Sequence, residues 1–123
     1  IGLGAKFGSG DETDFIFSSL NLKKNIFYNA KVSMYHPEEF IGLNSPKDIY
    51  TKFFSYGMGQ GALYKKHYNK SKFLCTYLYF VSLIKSILGI FLYLLFFRLK
   101  NIIKYFALFY GKILGFIKYK NNK

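Results

Sequence analysis

Three carboxylates crowd four consecutive positions, Asp11-Glu12-Thr13-Asp14, directly behind the turn Gly8-Ser9-Gly10. Carboxylates this close disfavour one another's charge, so one can have its pKa raised and act as a general base or help hold a metal ion. The same acids also open a helical pattern. There they would simply complement the positive end of the helix, with no chemistry implied. The preceding segment, residues 1–10, holds four glycines and can bring backbone N–H groups close to a ligand, although such loops are also ordinary connectors.

Several elements must position these groups. From Glu12 to about Lys24 the pattern suits a helix, with Ile16, Leu20 and Lys23 on one side and Asn25 at a left-handed stop. Ile26 to Tyr35 predicts a strand, because Ala30, Val32 and Met34 alternate with Lys31, Ser33 and Tyr35. His36-Pro37 ends it. Ser45-Pro46-Lys47-Asp48 is a second helix start, with a capping-box pattern, and that helix should run to His67. Gly57, Gly59 and Gly61 interrupt it, each at about 1 kcal/mol against alanine. So repeated a cost points to close approach of another backbone, a ligand or lipid headgroups.

The C-terminal half has a different character. Phe73 to Phe97 is 25 residues with one charge, Lys85, and as a helix would be about 37 Å long. That exceeds the roughly 30 Å of bilayer hydrocarbon. Lys85 costs about 3 kcal/mol near the bilayer centre, while more than a dozen apolar side chains return about 0.3–0.6 kcal/mol each. Leu99 to Lys120 reads as a basic amphipathic helix. Lys100, Lys104 and Lys112 lie on its polar side, opposite Ile102, Ile103, Phe106, Phe109, Ile113, Leu114 and Ile117.

Charge is lopsided. All six acids precede residue 49, whereas 13 of the 18 Lys and Arg residues follow residue 48. A net charge of +12 can serve nucleic acid, but these cations are interleaved with Phe, Leu and Ile. An anionic membrane surface fits better, and nucleic acid is not the expected partner. Both ends of Phe73–Phe97 are basic, so a re-entrant or interfacial seat on the cytoplasmic membrane, facing the cytoplasm, is expected rather than a full span. Cys75 has no second cysteine to pair with and reads as a small apolar residue.

The ordered motifs resemble bacterial family 2 glycosyltransferases of the inverting GT-A fold. Leu3 to Phe15 is similar to that family's Gly-Ser-Gly turn and acidic motif. Ile26-Phe27-Tyr28-Asn29 with Val32 to Pro37 resembles its strand ending in His-Pro, and Tyr56 to His67 its glycine-rich basic helix. The resemblance implies an α/β fragment, the C-terminal portion of a Rossmann-like domain followed by membrane-associated helices. Its parts would be residues 1–45 (acidic-motif helix and strand), 46–70 (glycine-rich basic helix) and 71–123 (membrane-associated tail). It further implies transfer of a sugar from a nucleotide-sugar donor to a glycan or lipid-linked acceptor, in surface polysaccharide synthesis.

In that reading Glu12 is the general base, with Asp11 the second choice and Asp14 in support. Gly8, Ser9 and Gly10 form the acceptor and donor loop. His36 would sit near a divalent metal, Mg²⁺ or Mn²⁺, or else bond backbone at a strand end. Lys65, Lys66 and His67 would meet anionic acceptor or lipid phosphates, or be solvated charge. The Asp-x-Asp motif and the nucleotide-binding half are missing, and the chain opens on Ile1, so an N-terminally truncated enzyme, inactive alone, is expected. The other reading is a small basic, non-enzymatic membrane protein or complex subunit.

Overall fold

The computed structural model describes residues 11–27, 29, 31, 40 and 42–120, and of Asp11 the backbone only. Four helices follow one another: α1 (Asp11–Asn21), α2 (Pro46–His67), α3 (Lys72–Leu95) and α4 (Leu99–Lys118). No strand occurs among the described residues. This overturns the expected α/β class and, with it, the resemblance to a GT-A fragment, which needs a sheet. Of the expected strand, Ile26, Phe27, Asn29 and Lys31 are described and none is in a ladder, while 28, 30 and 32–35 lie outside the described residues. The physical reason is pairing. An alternating segment becomes a strand only when a neighbour accepts its backbone hydrogen bonds, and the described residues supply only helices.

Helix α2 starts as its sequence requires. The Ser45 hydroxyl accepts from the Asp48 backbone N–H at 3.1 Å, and Asp48 Oδ2 accepts from the Ser45 N–H at 3.0 Å. Pro46 occupies the first turn, where its missing N–H costs nothing. Helix α1 ends earlier than expected. Lys23, not Asn25, takes the left-handed conformation (φ 54°), and the Lys24 N–H reaches back to the Ser19 carbonyl at 3.0 Å. The turn from α3 to α4 uses the same device. Phe97 is left-handed (φ 51°), with the Arg98 N–H on the Tyr93 carbonyl at 3.0 Å.

The main packing contact is α2 against α4. Gly57 faces Leu108 and Gly111, and Gly61 faces Lys112 and Phe116, so the two helices run parallel. A Cβ built on Gly57 would stand 2.5 Å from the Leu108 carbonyl oxygen, and one on Gly111 2.5 Å from that of Phe54. Cβ atoms on Gly61 and Gly115 would run into the carbonyls of Lys112 and Met58. Backbone therefore touches backbone, which is the explanation that Gly57 and Gly61 demanded. Each helix carries Gly-x-x-x-Gly (Gly57/Gly61 and Gly111/Gly115), a spacing that stacks two glycines on one face and suits close packing in membranes. Ile49, Phe53 and Ala107 close the core at one end of this seam.

Helix α3 packs on α4 through a small side, Ser82, Ser86 and Gly89, spaced four and three apart on one face. Tyr93 stacks on Tyr105 of α4 with ring centroids 5.5 Å apart. Helices α2 and α3 meet chiefly beside the turn joining them, where Leu63 packs with Cys75 and Tyr64 with Tyr79. Helix α4 is thus the middle element.

In an open helix Gly61→Ala would gain about 1 kcal/mol from propensity. Here the added methyl strikes backbone, and such overpacking costs about 1–3 kcal/mol or more. Gly61→Ala should therefore lower stability in detergent, measured by thermal melting of the circular dichroism signal. A raised melting temperature would contradict the contact.

Candidate membrane interface

Among the described residues, α3 is the one helix long and apolar enough to cross a membrane. Its outward side carries Phe73, Tyr77, Phe80, Ile84, Leu88, Phe91 and Leu95, spaced three or four apart and therefore on one face. Phe73 is 88% exposed, Leu88 61% and Leu95 76%. An uninterrupted apolar strip along a helix of about 36 Å far exceeds what a soluble monomer leaves to water. Lys85 is exposed as well. By contrast the outer side of α2 shows Lys47, Asp48, Thr51, Tyr56 and Gln60. One side of the bundle suits lipid and the other suits water.

The polar groups gather elsewhere, where α1 crosses the end of α2. His67 is 4% exposed. Asn21 Nδ2 donates to His67 Nδ1 at 2.9 Å, which leaves the proton on Nε2, and Nε2 donates to Asp14 Oδ1 at 2.7 Å. Lys66 Nζ donates to Asp14 Oδ2 at 2.6 Å, and Ser71 Oγ donates to Asn21 Oδ1 at 3.0 Å. Phe17 stacks on the imidazole at 5.2 Å. Both ring nitrogens are occupied, so this histidine has no free position for proton transfer to a substrate. The cluster is a clasp that docks α1. Its inward side is Asp14, Phe17 and Asn21, not the Ile16–Leu20 side expected from the apolar pattern; Ile16 and Leu20 are exposed.

Each expected site residue can now be located. Glu12 is exposed on the first turn of α1, and Asp14 is turned inward onto Lys66 and His67. The Asp11 side chain, Gly8, Ser9, Gly10 and His36 lie outside the described residues. No group of three or more His, Cys, Asp or Glu among the described residues could hold a metal ion. The expected metal ligands belonged mostly to a missing N-terminal half, so this leaves the metal expectation where it stood. The choice of Glu12 within the acidic cluster came from the family resemblance, which the helical fold overturns. No protein-family model matches the chain, and no curated protein or solved structure matches it.

Lys112 departs from expectation. It is 5% exposed, not on a polar outer side. Its Nζ donates to the Ser82 carbonyl and to Ser86 Oγ, both at 2.9 Å. The glycines flanking it let α2 close over the same stripe, which shuts the lysine in. Burial, with a smaller push from the Lys85 charge, lowers its ammonium from 10.5 to about 8. Cys75 is buried against Leu63 and Phe17, and burial pushes its thiol up, as an inert apolar residue requires.

Two pH effects follow, both raising stability as pH rises but in different windows. Between about pH 8 and 10.5 the unfolded chain holds the Lys112 proton that the folded chain has released. Stability should therefore rise with pH across that window, and Lys112→Met should abolish the slope in pH-dependent denaturant melts. For Asp14, burial raises the pKa, but hydrogen bonds and charge from Lys66 and His67 outweigh it and hold the carboxyl below 3.8. Its contribution is complete above pH 3.8 and is lost as pH falls through the lower folded value. Asp14→Asn should undock α1 at neutral pH, read as several-fold faster tryptic cleavage at Lys23 and Lys24; an unchanged rate would contradict the clasp.

Proposed function

We propose that the chain is a non-enzymatic membrane-surface module, a helical unit that seats the outer face of α3 in the bilayer and presents α2 to water. The observation that carries this reading is the opposition of the two sides: the outward face of α3 is apolar from Phe73 to Leu95, and that of α2 is polar from Lys47 to Gln60. A fully spanning α3 would draw α4 and α2 across with it, because α4 packs on α3 and α2 packs on α4. Thr51, Lys52 and Gln60 would then meet hydrocarbon, where a single lysine costs about 3 kcal/mol. A seat in the plane of the interface avoids that cost and leaves Lys85 at its margin, able to reach headgroups.

Cations frame the seat at both ends. Lys65, Lys66, Lys70 and Lys72 stand near the start of α3, and Arg98, Lys100 and Lys104 near its end. Basic groups at the surface favour anionic lipid and a cytoplasm-facing leaflet. The preferred partner is therefore an anionic bilayer surface, and the role is anchoring or assembly there.

Flotation with lipid vesicles tests the seat. Fully burying a side chain such as Leu or Phe contributes about 1.5–3 kcal/mol, so the double variant Leu88→Asp/Phe91→Asp should lower partitioning roughly a hundredfold. Gln60→Asp on the opposite side should leave it unchanged. Both altered α3 positions are exposed, so circular dichroism should report an intact fold. Undiminished flotation of the double variant would refute the seat.

A further inference from the structure

A cavity of about 280 Å³ opens where the end of α2, the beginning of α3 and the end of α4 converge. It is lined by Lys65, Tyr68, Thr76, Tyr79, Phe80 and Phe116, and no acid is among them. Phe80 belongs to the apolar face of α3, so the cavity straddles the boundary between that face and the basic end of the bundle. Lys65 Nζ lies 4.9 Å from the ring centroid of Phe116 and 5.8 Å from that of Tyr68. Lys72 Nζ also approaches the Tyr68 ring, at 5.8 Å. Lys66, the neighbouring cation, is spent on Asp14, whereas Lys65 and Lys72 have only aromatic faces as side-chain partners among the described residues. Ring faces balance charge but do not occupy the ammonium N–H donors, which at half-buried Lys65 and exposed Lys72 stay open to an anionic ligand.

We propose that this cavity receives the phosphate of an anionic phospholipid at the ammonium of Lys65, with Lys72 near its margin beside the Tyr68 ring and the acyl chains leaving over Phe80 onto the apolar face. The inference rests on the membrane seat described above and names the lipid chemistry at its edge. Phosphate oxygens offer these ammonium groups charged acceptors in place of water, and ion pairing of this kind is strong where water is partly excluded. Tyr68 and Tyr79 also line the cavity and bring phenol groups able to donate. A quaternary ammonium headgroup is a poorer occupant, since the Lys65 ammonium already fills the aromatic cage.

Wild type, Lys65→Gln, Lys65→Arg and Lys100→Gln are compared by flotation on phosphatidylcholine vesicles with and without phosphatidylglycerol, at low and high salt. A generic surface cation contributes about fivefold at low salt, and that contribution is screened away at about 1 M salt. Lys100→Gln, at the other end of α3, should follow that pattern. Lys65→Gln should lose about tenfold on phosphatidylglycerol vesicles, retain a several-fold deficit at high salt, and match wild type on phosphatidylcholine alone. Lys65→Arg should restore binding. Identical salt behaviour of Lys65→Gln and Lys100→Gln would overturn the site, as would wild type floating equally on both vesicle types, which leaves the seat itself intact. Displacement by millimolar inorganic phosphate would overturn the lipid as occupant. Wild type floating on neither would refute the seat and this inference together.

Discussion

The bundle depends on one contact, the backbone-to-backbone seam between α2 and α4. Gly57 and Gly61 meet Gly111 and Gly115 so closely that no Cβ fits between the helices. Glycine in a helix interior is unfavourable by about 1 kcal/mol per residue, so four of them survive only because the closeness they permit returns more through packing. That closeness has consequences at a distance. It holds α2 as the outer, polar layer of the bundle, and it closes the stripe in which Lys112 is trapped.

A trapped lysine needs acceptors, and α3 provides them. The Ser82 carbonyl and the Ser86 hydroxyl take two of its donors, on the side of α3 that already carries Gly89. Helix α3 thereby turns its small and polar residues to α4 and its bulky apolar ones outward. In water that arrangement would be a liability. Against a bilayer it is the expected one, because a lipid-facing surface has no need to hide its apolar groups. The clasp of Asp14, Asn21, His67 and Ser71 then fixes α1 beside the turn where α2 gives way to α3, close to the basic start of α3.

Much of the helical layout was legible in the residues. The Ser45–Asp48 box marked the start of α2, and His67, Leu99 and the apolar run after Lys72 marked other boundaries to within a few positions. These signals are local, since caps and periodicity act over one or two turns. The glycines of α2 announced a close approach but not its partner, although the matching spacing at Gly111 and Gly115 is visible in the sequence. The strand was misjudged because alternation says nothing about whether a neighbour exists to pair with. Lys112 was misjudged because an amphipathic pattern assigns a charged residue to the polar side, while tertiary packing decided otherwise. The partnership of Asp14 with His67 spans 53 positions and left no local trace.

The depth of α3 in the bilayer tests the account most directly. Single nitroxide labels at Phe80, Ile84, Leu88, Phe91 and Gln60, in a Cys75→Ala background, report depth through accessibility to oxygen and to a water-soluble nickel complex. A seat in the plane of the interface gives near-equal, shallow depths at the four α3 positions and full water access at Gln60. Depth that climbs to a maximum near Ile84 and falls toward both ends, with Gln60 shielded from nickel, would contradict it.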